Sequence, residues 1–213
     1  CSFFEAETDC PAAILGPVFS SKNPEALQDF IASADVFSLE FENTPVADVD
    51  VLTQTKTLYP PRLALATAQN RLAEKSLFDD LGIPVAPYRA VDSLESLKQA
   101  VAELGLPIVL KTVTGGYDGK GQFVLRSEDQ IDTAWAELGP AKSLIAESFV
   151  KFSREVSIIA VRGQDGDVKT WALAENHHHN GILSHSIVPA PNSTDLQPVA
   201  QDYITRLLNH LNY

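Results

Sequence analysis

The sequence predicts an α/β fold, with an alternating α/β segment over residues 1–62 and an α+β body over residues 63–213. Three observations predict it. Stretches with helical apolar spacing alternate with short β-branched or aromatic runs along the chain, the pattern of mixed α/β proteins. Pro60-Pro61 punctuates the sequence between the two parts, since neither residue can donate to a helix or a ladder. The body carries a strand–loop–strand unit: apolar Val109-Leu110, then Lys111, then glycines at 115, 116, 119 and 121, then apolar Phe123-Val124-Leu125.

Taken in order, Ser2-Phe3-Phe4 closes a strand. Asn23-Pro24 reads as a helix start, with Asn as N-cap and Pro at the first helical position. The helix is expected through Glu25–Ala34, with Leu27, Phe30 and Ile31 on one face. Asp35 to Glu42 alternates as a strand, which places Glu40 and Glu42 on the same face. Pro45 ends it. After Pro60-Pro61 one helical stretch is expected from Leu63 to Leu81, stopped by Gly82-Ile83-Pro84. Asp92 to Glu95 and Ser127 to Gln130 have capping-box spacing and open helices over 93–104 and 128–138. Strands are expected near 85–90, 107–112, 122–126, 143–149, 154–162, 168–175 and 182–188, with a hairpin turn at Gly163–Gly166. A last helix spans Asp195 to Leu211. Residues 85–150 thus gather two helices and four strands around the glycine loop, as a small α+β lid. A second, strand-rich layer begins near residue 151.

A chain of 213 residues with 45% hydrophobic and 21% charged residues is ordinary for a globular protein. No run approaches the ~18 apolar residues a membrane span needs. The net charge of −12 argues against a nucleic-acid-binding surface, which needs a basic stripe. It leaves room for a small anionic substrate in a local basic pocket. Cys1 and Cys10 cannot build a disulfide framework, and their sparseness suits a reducing cytoplasm. The chain contains no methionine, opens on Cys1 and stops directly after a helical run. This pattern is expected of a fragment cut at both ends; a processed protein is the alternative.

The glycine loop carries the chemistry. Glycine accepts positive φ and lets the backbone approach a ligand closely. Successive N–H groups can then cradle phosphate oxygens, and Lys111 and Lys120 add positive charge. The loop has neither Walker A spacing nor the following helix of a dinucleotide fingerprint. Lys111 ends an apolar strand, where a bound phosphate would balance its charge; a tip that reaches solvent is the other reading. Consecutive residues of a strand alternate faces, so His177, His178 and His179 cannot share one metal ion well.

The string Lys111…Gly115-Gly116-Tyr117-Asp118-Gly119-Lys120-Gly121-Gln122 resembles the lid loop of the ATP-grasp family. Its Tyr-Asp pair, the run Glu40-Phe41-Glu42-Asn43, and Asn176-His177-His178-His179-Asn180-Gly181-Ile182-Leu183 resemble one group in that family. That group is the 5-(carboxyamino)imidazole ribonucleotide synthases. The resemblance spans nearly all of the chain. It implies an ATP-grasp fold preceded by a partial Rossmann-like, pre-ATP-grasp domain. It also implies ATP-dependent carboxylation of 5-aminoimidazole ribonucleotide with bicarbonate, in purine biosynthesis.

Residue by residue, the resemblance assigns ATP binding to Arg71, Lys111, the loop residues Gly116, Tyr117, Asp118, Gly119, Lys120, Gly121 and Gln122, and also to Glu155 and His178. Lys111 would meet the phosphates and Glu155 the ribose hydroxyls. Glu147, Ser148, Phe149 and Val150 would line the adenine pocket. Tyr117 and Lys120 would also face the ribonucleotide substrate, with Glu40 and Glu42 on its imidazole amine side. No catalytic residue is assigned. The family's Mg²⁺ ligands would fall beyond Tyr213, so this chain is expected to supply none and to be inactive alone. The parent is expected to be a cytoplasmic homodimer. Two other readings stand beside this one: a different ATP-grasp carboxylase or ligase, and a non-catalytic nucleotide-binding module.

Overall fold

The computed structural model describes residues 1–116, 120–141, 143–179 and 181–213. Cys1–Ala66 forms one compact unit and Thr67–Asn212 a second.

The first unit contains β1 (Phe3–Glu5), β2 (Val18–Ser20), α1 (Ala26–Ala32), β3 (Val36–Ser38), α2 (Val46–Thr53), β4 (Thr57–Tyr59) and the start of α3 (Arg62–Ala68). β1 pairs with β2 and β3 with β4, both parallel. Parallel neighbours need a crossover, and α2 supplies the one between β3 and β4. Ile31, Phe37, Val49, Leu52, Leu58 and Leu65 form its core. The Phe30 ring stacks on Phe4 with centroids 5.4 Å apart and meets Phe37 edge-on at 5.0 Å.

This unit departs from the sequence reading. α1 begins at Ala26 with Glu25, not Asn23, at its N-cap. α2 is a helix that the sequence pattern did not reveal, because Val46, Val49 and Val51 read equally as strand residues. The strand expected over 35–42 stops at Ser38, and Glu40 and Glu42 lie in the following loop, with a turn at Glu42-Asn43. Glu40 and Glu42 are therefore not paired on one strand face. The cause lies in the partner. β3 pairs with β4 as far as Ser38↔Tyr59, and Pro60-Pro61 then offer no N–H to extend the ladder.

The second unit opens with α4 (Arg71–Asp80). The single helix expected over 63–81 is broken into α3 and α4 at Asn70. Its backbone is extended (φ −126°, ψ 107°), and its Oδ1 accepts the Leu72 and Ala73 N–H groups at 3.0 and 3.1 Å. Asparagine competes with the helix for these donors and caps a new one.

Next come β5 (Tyr88–Val91), α5 (Leu94–Leu104), β6 (Ile108–Thr112), β7 (Gln122–Leu125), α6 (Ile131–Leu138) and β8 (Leu144–Ser148). The strands form one antiparallel sheet in the order β5-β8-β6-β7. Helices α5 and α6 pack on one face, around Leu97, Val101, Ile108, Leu110, Leu125, Ala134, Leu144 and Ala146. The cap of α5 lies one residue later than expected. Ser93 is the N-cap and Ser96 its reciprocal partner, not Asp92 with Glu95. Ser127 makes no side-chain cap bond, although Gln130 Oε1 accepts the Arg126 N–H at 2.8 Å.

The remaining elements are β9 (Glu155–Ser157), β10 (Ala160–Arg162), β11 (Val168–Thr170), β12 (Ala174–His179), β13 (Ile182–Ile187) and α7 (Gln197–Leu211). The runs expected as single strands over 154–162 and 168–175 each split in two. β9 pairs with β12, whereas β10 pairs with β11 in a hairpin closed by Gly163–Gly166. Local sequence shows extension; the change of partner is a tertiary event.

Candidate functional site

The site is built on the face of the β5-β8-β6-β7 sheet opposite α5 and α6. Along β6, Ile108, Leu110 and Thr112 alternate with Val109 and Lys111. Ile108 and Leu110 are fully buried in the core, so Lys111 points the other way. On β8 the residues opposite are Ile145 for Lys111 and Glu147 for Val109. Lys111 and Glu147 are thus diagonal neighbours on one face, within reach of long side chains. Lys111 Nζ donates to Glu147 Oε2 at 3.0 Å. Glu147 is the one charged residue among the described residues that is buried, at 7% exposure.

Helix α4 completes the cluster. Because Asn70 restarts the helix, Arg71 stands at its first turn, where its N–H donates to Val113 O at 3.0 Å. Its guanidinium donates to Thr112 O at 3.0 Å and Gly115 O at 2.7 Å. Arg71 therefore clamps the backbone where the loop leaves β6. One turn on, Lys75 Nζ lies 3.5 Å from the same Glu147 oxygen. Lys75 escaped the sequence reading; its i,i+4 spacing from Arg71 was the available signal.

Glu74 sits among these charges. Burial holds its carboxyl above the ordinary 4.5, with Glu147 pushing the same way, against the pull of Lys75, Arg71 and Lys111. A raised carboxylate pKa means the folded state binds more protons than the unfolded one above pH 4.5, so stability falls as pH rises through that window. Glu74→Gln should remove this slope. Its melting temperature should gain on the wild type as pH increases from 4 to 7, and parallel curves would refute the assignment.

The loop is shaped by glycine where a side chain could not fit. Gly116 has φ +81°, and a Cβ there would lie 2.9 Å from Lys120 O. Gly121 has φ +73°, and its carbonyl accepts the Thr112 N–H at 2.9 Å, closing the loop onto β6. Lys120 is exposed, and Gln122 opens β7 opposite Lys111. Tyr117, Asp118 and Gly119 lie outside the described residues.

Beyond Glu147, the Ser148 N–H donates to Pro87 O at 2.9 Å and the Phe149 N–H to Pro107 O at 3.1 Å. Arg126 lies over the Phe149 ring at 5.6 Å. Val150 is exposed. In the second layer, Glu155 faces Asn176 across the ladder, and His178, two residues further along β12 on the same face, places its Nδ1 within 3.4 Å of Glu155 Oε1. His177 instead stacks on His185, with centroids 4.6 Å apart. The histidines diverge, and among the described residues no three metal-ligating side chains gather. Glu40, in the first unit, lines a cavity of about 170 Å³ together with Phe4, Phe37 and Leu39. Glu42 does not line it.

Residues 76–213 match the ATP-grasp domain family and residues 1–69 the ribonucleotide synthetase preATP-grasp domain. The chain is 41% identical over 214 residues to the N5-carboxyaminoimidazole ribonucleotide synthase of Pseudomonas aeruginosa, covering 100% of this chain and 59% of that protein. The crystal structure of the corresponding synthetase from Thermus thermophilus superposes with a TM-score of 0.90 at 38% identity, over 100% of this chain and 58% of that one. A synthetase solved as an ADP complex gives 0.91 at 39% identity, over 99% and 56%. The chain spans 49 to 59% of the length of five curated bacterial relatives that it matches.

Proposed function

The chain belongs to the ATP-grasp family, on its N5-carboxyaminoimidazole ribonucleotide synthase branch, and we propose that the whole protein carboxylates 5-aminoimidazole ribonucleotide with bicarbonate at the expense of ATP. The products are N5-carboxyaminoimidazole ribonucleotide, ADP and phosphate, a step of IMP biosynthesis. The observation that carries this reading is the Lys111 ammonium at the root of a glycine loop, in a chain that aligns over its full length with such synthases.

The residues fit a nucleotide. Lys111 supplies a phosphate ligand, and Arg71 holds the loop root so that the amides of Gly116, Gly121 and Gln122 can meet phosphate oxygens. With the Ser148 and Phe149 amides committed within the protein, Val150 offers the next backbone donor for the base. Glu155, oriented by His178, accepts from the ribose hydroxyls. By the family resemblance, Tyr117 and Lys120 are proposed for the ribonucleotide and Asp118 for ATP, with Glu40 and Glu42 proposed for the imidazole amine.

Mg²⁺ belongs to this proposal as the ion that neutralises phosphate charge. The described residues offer no ligand set that fits it, so no step is assigned to it here. Among the described residues no helix is long and apolar enough to cross a membrane. A cytoplasmic homodimer is the proposed form.

The test is ADP release with ATP, Mg²⁺, bicarbonate and 5-aminoimidazole ribonucleotide. The whole protein should require all four, and residues 1–213 alone should release none above background. Release that ignores 5-aminoimidazole ribonucleotide would overturn the substrate. It would favour another ATP-grasp ligase.

A further inference from the structure

Lys75 stands outside every role assigned so far. Its ammonium approaches the Glu147 oxygen that already accepts from Lys111. The Lys75 side chain is also more enclosed than that of Lys111, at 17% against 28% exposure. Among the described residues, Lys111 from β6 and Lys75 from α4 pair with Glu147, and Glu74 of α4 lies within electrostatic reach of it. Tyr88 of β5 is its ladder partner.

One cation would suffice to pair one carboxylate, so the second calls for a reason. A carboxylate this enclosed is costly without a partner. If Lys111 turns to a phosphate, it must loosen its hold on Glu147. With Lys111 as sole partner, that movement would strand a buried anion, and the ammonium would stay pinned. Lys75 is anchored on α4 and not at the loop root, so it can stay behind.

The geometry points to Lys75 as a positioning residue that keeps Glu147 neutralised while Lys111 is handed to the phosphates of a nucleotide. The inference rests on the reading of Lys111 as a phosphate ligand. It makes the Lys75–Glu147 pair a fixed seat and the Lys111–Glu147 pair an exchangeable one. It also keeps the Glu147–Val150 segment in place during the exchange.

The experiment titrates residues 1–213 with Mg·ATP and, separately, with adenosine, which has no phosphate. Lys75→Met should weaken ATP binding about tenfold, the scale of coupling within one ion-pair network, and leave adenosine binding unchanged. Lys75→Arg should bind ATP like the wild type. Lys75→Met combined with Glu147→Gln should regain most of the lost affinity, because no carboxylate then holds Lys111 back. A Lys75→Met protein that binds ATP like the wild type would overturn the inference alone. So would an equal loss for ATP and adenosine, or no recovery in the double variant. A wild-type chain that binds adenosine but gains nothing from the phosphates would overturn the Lys111 reading, and the inference with it.

Discussion

Lys111→Ala is expected to lower the affinity for Mg·ATP about 100-fold, within the range for removing one member of a hydrogen-bonded charge pair. The loss should fall on binding and spare the fold. Lys75 remains 3.5 Å from Glu147, so the buried carboxylate keeps a cation when Lys111 is truncated. Calorimetry of the two proteins, with melting temperatures measured beside it, separates the effects. An ATP affinity unchanged by the substitution would remove Lys111 from the nucleotide site. A collapse of the melting temperature would make Lys111 structural, with Lys75 unable to hold Glu147 alone.

The neighbouring residue should behave in the opposite way. Leu110 is fully buried among α5, α6 and the sheet. Leu110→Ala removes buried methyl groups and leaves a cavity, so it should cost about 3 kcal/mol of stability. ATP affinity, measured well below the melting transition, should stay near the wild-type value. Denaturant unfolding followed by circular dichroism reads the first quantity and calorimetry the second. A stability loss under about 1 kcal/mol would contradict the packing of this face. The two substitutions, one residue apart, test the alternation that puts the core on one face of β6 and the site on the other.

Much of this was legible in the sequence for local reasons. The β6–loop–β7 unit was visible because glycine spacing, an apolar run and a lysine depend on short-range chemistry. The hairpin turn at Gly163–Gly166 and the final helix were visible for the same reason. Other features depended on partners distant in sequence. Glu40 and Glu42 looked like strand residues, but β4 ran into Pro60 and gave β3 no ladder beyond Ser38. The extended runs at 154–162 and 168–175 looked continuous because a residue pattern carries no mark of where a strand changes partner. Asn70 looked like an ordinary helix residue, yet its side chain ended one helix, capped the next and so set Arg71 against the loop.

The sequence by itself determined the α/β class, the family, the glycine loop and the residue types available for a nucleotide. These follow from side-chain volume, backbone freedom and charge read over a few residues at a time. Only the tertiary structure decided that Lys111 and Lys75, 36 positions apart and on different elements, share one oxygen of Glu147. Strand register and helix packing set that meeting. The physical reason it matters is burial: a carboxylate withdrawn from water makes its cations interdependent, and burial is a property of the folded chain.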